Sequence, residues 1–374
     1  MEQLQGVSRR GRTPAISRHQ ETLVVLWGHA CDGHGAIPRT RRLVTPTRSV
    51  SDTGVISAVD YHTGGEPFRI VTGGVESPRG ATILDKRRDA LERLDHVRRL
   101  LVFEPRGHAD MYGCFVVEPN DEGADLGVVF FHNAGYSTAC GHGTIALVTW
   151  ALDEGVVERR EGENHVVVDV PSGRIQTWAQ VESGRVRSVR FRNVPAFVWG
   201  EGVTAGEHSV DVAFGGAFYA SLEERVEPRV LPRLIELGRE LKRTLEEQNE
   251  IVHPLEPELR DVYGVIFWQE EAGSPLTQRN VTVFADGEVD RSPCGSGTTA
   301  RLALLDRSGR LPRGDELRHL SIVGSEFRAR VVGDANLAGV PAVVAEVEGS
   351  AYRTGEHVFT LDEEDPLGEG FLLR

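Results

Sequence analysis

From residue 55 onward the chain alternates short apolar runs with polar turns. Residues 55–60 and 68–72 flank a Gly-rich turn at Thr63-Gly64-Gly65 and predict a pair of short strands. Further runs at 114–118, 127–131, 165–170 and 186–191 have the length of strands and are separated by turns, which favours largely antiparallel sheets. In the second half, strand-like runs fall at 262–268, 281–285, 327–332 and 340–347.

Two segments switch to the helical period. One opens at Asp85, with Ala90, Leu91, Leu94 and Val97 on an apolar face; the other starts at Pro232, with Leu234, Leu237, Leu241 and Leu245 in register. Strands and helices mix without a regular βαβ rhythm, so the pattern predicts an α+β fold. At 374 residues the chain exceeds one ordinary core, and two lobes are expected.

An apolar fraction of 40% and a charged fraction of 26% are those of a globular protein. The longest apolar runs, 23–27 and 127–131, are far shorter than the roughly 20 residues of a membrane-spanning helix, so no membrane partner is expected. A net charge of −14 argues against a nucleic-acid partner. Residues 1–50 are the exception, with eight Arg against Glu2, Glu21 and Asp32. They lack core periodicity, and residues 1–51 are read as a disordered or mis-annotated extension.

Cys31, Cys114, Cys140 and Cys294 are too few and too scattered for a disulfide framework, and no CxxC pair suggests zinc; the compartment reads as reducing cytoplasm. The thirteen His show no metal-ligand spacing, so no metal is expected. Lys86 and Lys242, the only lysines, both sit in charged helical stretches. A pyridoxal-phosphate enzyme needs a lysine for its Schiff base, and neither has that setting. No cofactor is expected.

The chemistry is carried by an internal repeat. Cys140-Gly-His-Gly-Thr-Ile-Ala and Cys294-Gly-Ser-Gly-Thr-Thr-Ala both read C-G-x-G-T-x-A and both run into a helix, about one lobe apart. Each cysteine therefore falls at a helix N-terminus. Unpaired amides and the positive end of the helix dipole there favour an anion, which is expected to lower a thiol pKa and to bind a carboxylate. The amides of Gly141, His142, Gly295 and Ser296 could grip an α-carboxylate while the two sulfurs approach the α-carbon from opposite faces. Inversion of a stereocentre needs such a base and acid, and thiols can be tuned toward neutral pH for both roles. Asp290, four residues before Cys294, could pair with a substrate ammonium. Cys31-Asp-Gly-His-Gly echoes the repeat but lacks a following helix. Gly295-Ser-Gly-Thr-Thr lacks the Lys of a phosphate loop.

From about Val55 to Arg374 the sequence resembles the proline racemase superfamily. The matching stretches are Asp60-Tyr-His-Thr-Gly-Gly-Glu-Pro, Glu104-Pro-Arg-Gly-His-Ala-Asp-Met-Tyr-Gly, Asn133-Ala-Gly-Tyr-Ser-Thr-Ala-Cys-Gly-His, Phe214-Gly-Gly-Ala-Phe-Tyr-Ala, Asp290-Arg-Ser-Pro-Cys-Gly-Ser-Gly and Asp365-Pro-Leu-Gly-Glu-Gly-Phe-Leu-Leu. The resemblance implies two pseudo-symmetric lobes of strands around a central helix, as in diaminopimelate epimerase. Lobe 1 is expected at 52–195 plus 352–374 and lobe 2 at 196–351. It also implies Cys140 and Cys294 as the acid/base pair, Gly141, His142, Gly295 and Ser296 as the carboxylate cradle, Asp290 as the amine contact, and a homodimer. The substrate implied is proline or hydroxyproline. The wording is closest to the trans-3-hydroxy-L-proline dehydratase branch, which usually carries Thr where this chain has Cys294. A second cysteine favours racemase or epimerase chemistry, because dehydration to a planar product needs no donor on the second face. A non-catalytic amino-acid-binding protein is the remaining alternative.

Overall fold

The computed structural model describes residues 55–373; the extension at 1–51 with its Cys31 segment lies outside the described residues. The described chain forms seventeen strands and five α-helices. The first half runs β1 (Val55–Thr63), β2 (Glu66–Gly73), α1 (Ile83–Arg93), α2 (Asp95–Val102), β3 (Tyr112–Val117), β4 (Leu126–His132), α3 (Gly141–Asp153), β5 (Gly162–Val170), β6 (Gly173–Glu182) and β7 (Arg185–Arg192). The second runs β8 (Phe197–Ala205), β9 (His208–Phe214), β10 (Phe218–Glu223), α4 (Leu231–Gln248), β11 (Val262–Glu271), β12 (Thr277–Phe284), β13 (Glu288–Asp290), α5 (Gly295–Arg307), β14 (Leu317–Ser321), β15 (Glu326–Leu337), β16 (Val340–Gly349) and β17 (Ala351–Thr360).

The strand pairings show the α+β fold to be two copies of one plan. In the first lobe β1 and β2 are antiparallel, β3 joins β2 in parallel after α1 and α2, β4 returns antiparallel, and β5 joins β4 in parallel after α3. In the second, β9 and β10 are antiparallel, β11 joins β10 in parallel after α4, β12 returns, and β14 joins β12 in parallel after α5. Both end in antiparallel meanders, β5–β6–β7 and β14–β15–β16, whose last strands β7 and β16 pair with each other. β8 flanks β9, and the equivalent place beside β1 is filled by β17 from the chain's end.

Each lobe wraps its sheet around one helix. α3 is buried from Gly141 to Leu152 and is mostly apolar, as a helix with no solvent face must be, with its buried Thr144 and Thr149 hydroxyls bonded back to the Cys140 and Ile145 carbonyls. Burial of Ile145, Leu147, Val148 and Leu152 stabilises it by roughly 1.5–3 kcal/mol each. α5 is equally buried from Gly295 to Leu305 but holds Thr298, Thr299 and Arg301 inside. Arg301 stacks 4.1 Å over Trp268 and donates to the Gln278 side-chain oxygen. The long α4 buries Leu234, Leu237, Leu241 and Leu245 against β11 and β12, as its periodicity predicts.

The helix expected from Asp85 differs in two respects. Thr82 is its cap, with Asp85 closing a capping box, and the chain breaks at Leu94 into α1 and α2. The break turns the apolar stripe, so Leu91 is 52% exposed while Val97, Leu100 and Leu101 of α2 are buried.

Candidate active site

The parallel crossovers deliver α3 and α5 with their N-termini facing each other. A Cβ on Gly141 would lie 2.5 Å from the Gly295 Cα, and one on Gly295 would lie 2.7 Å from the Gly141 Cα. Only glycine permits that approach, and the Phe191 ring packs 3.0 Å from both positions. The two helix starts thus meet, and their first amides, which have no partner within the helix, share one region.

A small, tight pocket sits there, lined by Cys140, Gly141, His142, Asp290, Cys294, Gly295 and Ser296. All seven residues singled out from the sequence line it. So do Tyr112, Tyr219, Tyr263, Thr282 and Phe284, which sequence reasoning missed. Tyr112 and Tyr219 lie inside quoted motifs but carry no spacing signal; the others come from strands whose alternation shows only burial. Two roomier surface depressions, one beside His62 and Tyr352 and one beside Ile235 and Arg239, contain neither cysteine.

Both thiols are buried, each 5% exposed. Cys140 is an extended N-cap (φ −153°, ψ 96°), and its sulfur accepts the Gly143 amide at 3.2 Å. The His142 ring nitrogens lie 3.5 and 3.6 Å from it. Cys294 adopts the left-handed region (φ 61°, ψ 98°), which costs a non-glycine residue on the order of 1–3 kcal/mol. Its sulfur makes no capping hydrogen bond, although the Gly297 amide is near enough to favour the thiolate. It faces the Tyr219 hydroxyl at 3.8 Å and the Ser296 hydroxyl at 4.0 Å, and these two hydroxyls are 2.6 Å apart.

The thiol pKa expected to fall at a helix end is instead raised. Burial pushes Cys140 well up despite the Gly143 amide, and pushes Cys294 up to about 12, with the Asp290 charge adding to the effect. Desolvation outweighs the helix end because both sulfurs are buried by the surrounding protein. Burial also holds His142 neutral, down to about 3, and lifts the Asp290 carboxyl to about 6. Asp290 accepts the Ser292 amide at 2.8 Å and also lines the cavity. The lining holds no Arg or Lys, so a bound carboxylate would rely on helix amides and neutral donors.

Two ion pairs tie the lobes beside the cavity. Arg291 reaches the buried Glu66 with its backbone amide (2.7 Å) and its Nε (3.2 Å). His132 Nδ1 lies 2.8 Å from Glu288 Oε2, and the other oxygen of Glu288 accepts the Ala134 amide. The Ala134 amide also lies 3.2 Å from His132 Nδ1.

Neither lysine is near: Lys86 Nζ donates to the Glu118 carbonyl, and Lys242 pairs with Glu246. Among the described residues no group of three His, Cys, Asp or Glu is placed to hold a metal ion, and no helix is long and apolar enough to cross a membrane.

Residues 58–372 match the family model described as proline racemase. A trans-3-hydroxy-L-proline dehydratase of Bacillus thuringiensis subsp. konkukian is 42% identical over 328 residues, covering 85% of this chain and 98% of that protein. A 3-hydroxyproline 2-epimerase of Burkholderia multivorans is 45% identical over 329 residues, covering 85% of this chain and 98% of that protein. Among solved structures, a hydroxyproline epimerase from Agrobacterium vitis with bound trans-4-hydroxy-L-proline superposes with a TM-score of 0.80 at 32% identity, covering 86% of this chain and 96% of that one.

Proposed function

The chain belongs to the proline racemase family, and from that premise we propose that it is a cofactor-independent racemase or 2-epimerase of proline or hydroxyproline. The observation that carries this reading is the meeting of two helix starts, each preceded by a cysteine, at Gly141 and Gly295, around one pocket. The substrate carboxylate sits on the amides of Gly141, His142, Gly295 and Ser296, and its ammonium faces Asp290.

Substrate also changes the charge balance around the sulfurs. An ammonium beside Asp290 neutralises the charge that helps hold the Cys294 thiol up, so binding favours a thiolate. The thiolate of one cysteine takes the α-proton. The thiol of the other delivers its own proton to the opposite face, so the α-carbon is inverted and the two sulfurs exchange protonation states. Charge that builds on the carboxylate in the enolate-like transition state strengthens its bonds to the helix amides.

Dehydration of trans-3-hydroxy-L-proline to a pyrroline carboxylate is the second reading, favoured by relatives of that name at 42% identity. There, removal of the α-proton expels the ring hydroxyl as water, and no proton returns to the α-carbon. The cysteine at 294 supports inversion over this alternative. The reading extends to a cytoplasmic homodimer acting on a free amino acid, supported by the sparse cysteines and the family resemblance.

The test is to offer L-proline, trans-4-hydroxy-L-proline and trans-3-hydroxy-L-proline separately in deuterated water. Inversion with one deuterium at the α-carbon is the expected product. Efficient water loss from the 3-hydroxy substrate, with no inversion of any of the three, would overturn the proposal.

A further inference from the structure

Cys294 keeps its left-handed backbone in a buried position, so something must hold it there. The preceding carbonyl, that of Pro293, accepts two side-chain donors: Asn280 Nδ2 at 3.2 Å and Thr298 Oγ1 at 3.1 Å. Each donor is itself anchored. Asn280 also donates to the Leu320 carbonyl at 3.1 Å. Thr298 Oγ1 lies 2.7 Å from His319 Nδ1. Since the Thr298 proton is committed to Pro293, Nδ1 must donate, which fixes the tautomer of a histidine that burial and Arg301 keep neutral. Asn280 and His319 lie on β12 and β14, which pair in parallel. On the other side of the peptide, the Cys294 amide donates to Ser292 Oγ at 3.1 Å.

The peptide entering Cys294 is therefore gripped at both its oxygen and its nitrogen side, from a rigid strand pair. Cys140, in its extended cap, has its sulfur turned onto Gly143. We infer that Thr298, Asn280 and His319 are positioning residues that hold Cys294 in its strained conformation, so that its sulfur makes no capping hydrogen bond and faces Tyr219, Ser296 and the substrate. The inference rests on the reading of Cys294 as an acid/base group; none of the three lines the cavity.

Thr298→Val removes the hydroxyl at nearly constant volume, and Thr298→Ser restores it. Two readouts are compared in the full chain: steady-state inversion, and the pH dependence of iodoacetamide labelling at each cysteine, followed by peptide mass spectrometry. In Thr298→Val, kcat is expected to fall on the order of 10–100-fold with KM nearly constant. The labelling midpoint of Cys294 should move down by about one pH unit, as its sulfur settles on the helix amides, while that of Cys140 stays. Thr298→Ser should resemble the parent in both. If Thr298→Val does not accumulate as folded protein, Asn280→Ala gives the same comparison. A folded variant with unchanged Cys294 labelling overturns the inference, whatever happens to turnover. Should the parent invert none of the three imino acids, the proposed function fails, while the shift in Cys294 labelling still supports the positioning role.

Discussion

At Cys140 the chain is extended, the sulfur caps its own helix, and the buried Thr144 and Thr149 hydroxyls of that helix donate back to its own Cys140 and Ile145 carbonyls. At Cys294 the backbone is left-handed, the sulfur points toward Tyr219 and Ser296, and the helix behind it carries buried Thr298, Thr299 and Arg301. One five-position pattern thus serves two means of support. Where the cysteine is relaxed, bonds within its own helix turn, from Gly143 to the sulfur and from Thr144 to the carbonyl, accompany the packing. Hydrogen bonds are needed where it is strained, because only directional contacts can hold a peptide in one orientation.

The largest expected effect separates the roles of the two sulfurs. Cys140→Ser and Cys294→Ser should each lower inversion by about 10³-fold, since a serine hydroxyl is a far poorer acid or base near neutral pH. Each should retain solvent exchange at the α-proton of only one enantiomer, and opposite enantiomers for the two variants. Exchange of the same enantiomer by both would show that the sulfurs do not flank the α-carbon.

Next comes the contact between the helix starts. Gly141→Ala and Gly295→Ala each place a methyl within 2.7 Å of the facing backbone, so the lobes must separate. A displacement of that scale is expected to cost about 10²-fold in kcat/KM. Equal activity in either variant would mean that the close approach is dispensable.

Asp290 tests charge rather than shape. Its carboxyl is lifted to about 6, so kcat/KM should rise with pH through that value as the ammonium partner ionises. Folding runs the other way. A group protonated more readily when folded than when unfolded loses stabilisation as pH rises between its unfolded value, near 3.8, and about 6. Asp290→Asn keeps an acceptor for the Ser292 amide and removes the buried charge. It should raise Tm by a few degrees at neutral pH, measured by calorimetry, while lowering kcat/KM about tenfold. The smallest effect is expected at Glu288→Gln, where the contact to His132 survives as a neutral hydrogen bond; KM should rise by about two- to threefold.

The sequence made the site easier to read than the scaffold. All seven cavity residues named from it sit on the two repeats or just before one, where a Gly-rich turn and a helix start share a short stretch of chain. Tyr263, Thr282 and Phe284 escaped because they reach the cavity by strand pairing over long sequence distances, which leaves no local mark. The direction of the thiol shifts was misread for the same reason. A helix end is visible in a motif, but the burial of the two sulfurs depends on residues distant in sequence, Tyr112, Tyr219 and Tyr263 among those around them. The break at Leu94 is a tertiary choice, since α2 turns to bury Val97 and Leu101.

The place of β17 has a consequence for how the molecule is made. β1 is the first described strand and β17 the last, yet they lie side by side, with Arg69 stacked 4.4 Å over Phe359 and His357 3.0 Å from Asp60. During synthesis the lobe bearing Cys140 emerges first but cannot complete its sheet until residue 360 has left the ribosome, whereas the second lobe has its flanking strand β8 from the start. The earlier lobe must wait with an open edge, a state prone to mispairing, while the later one folds. Order of emergence and order of completion of the two sheets are thereby reversed.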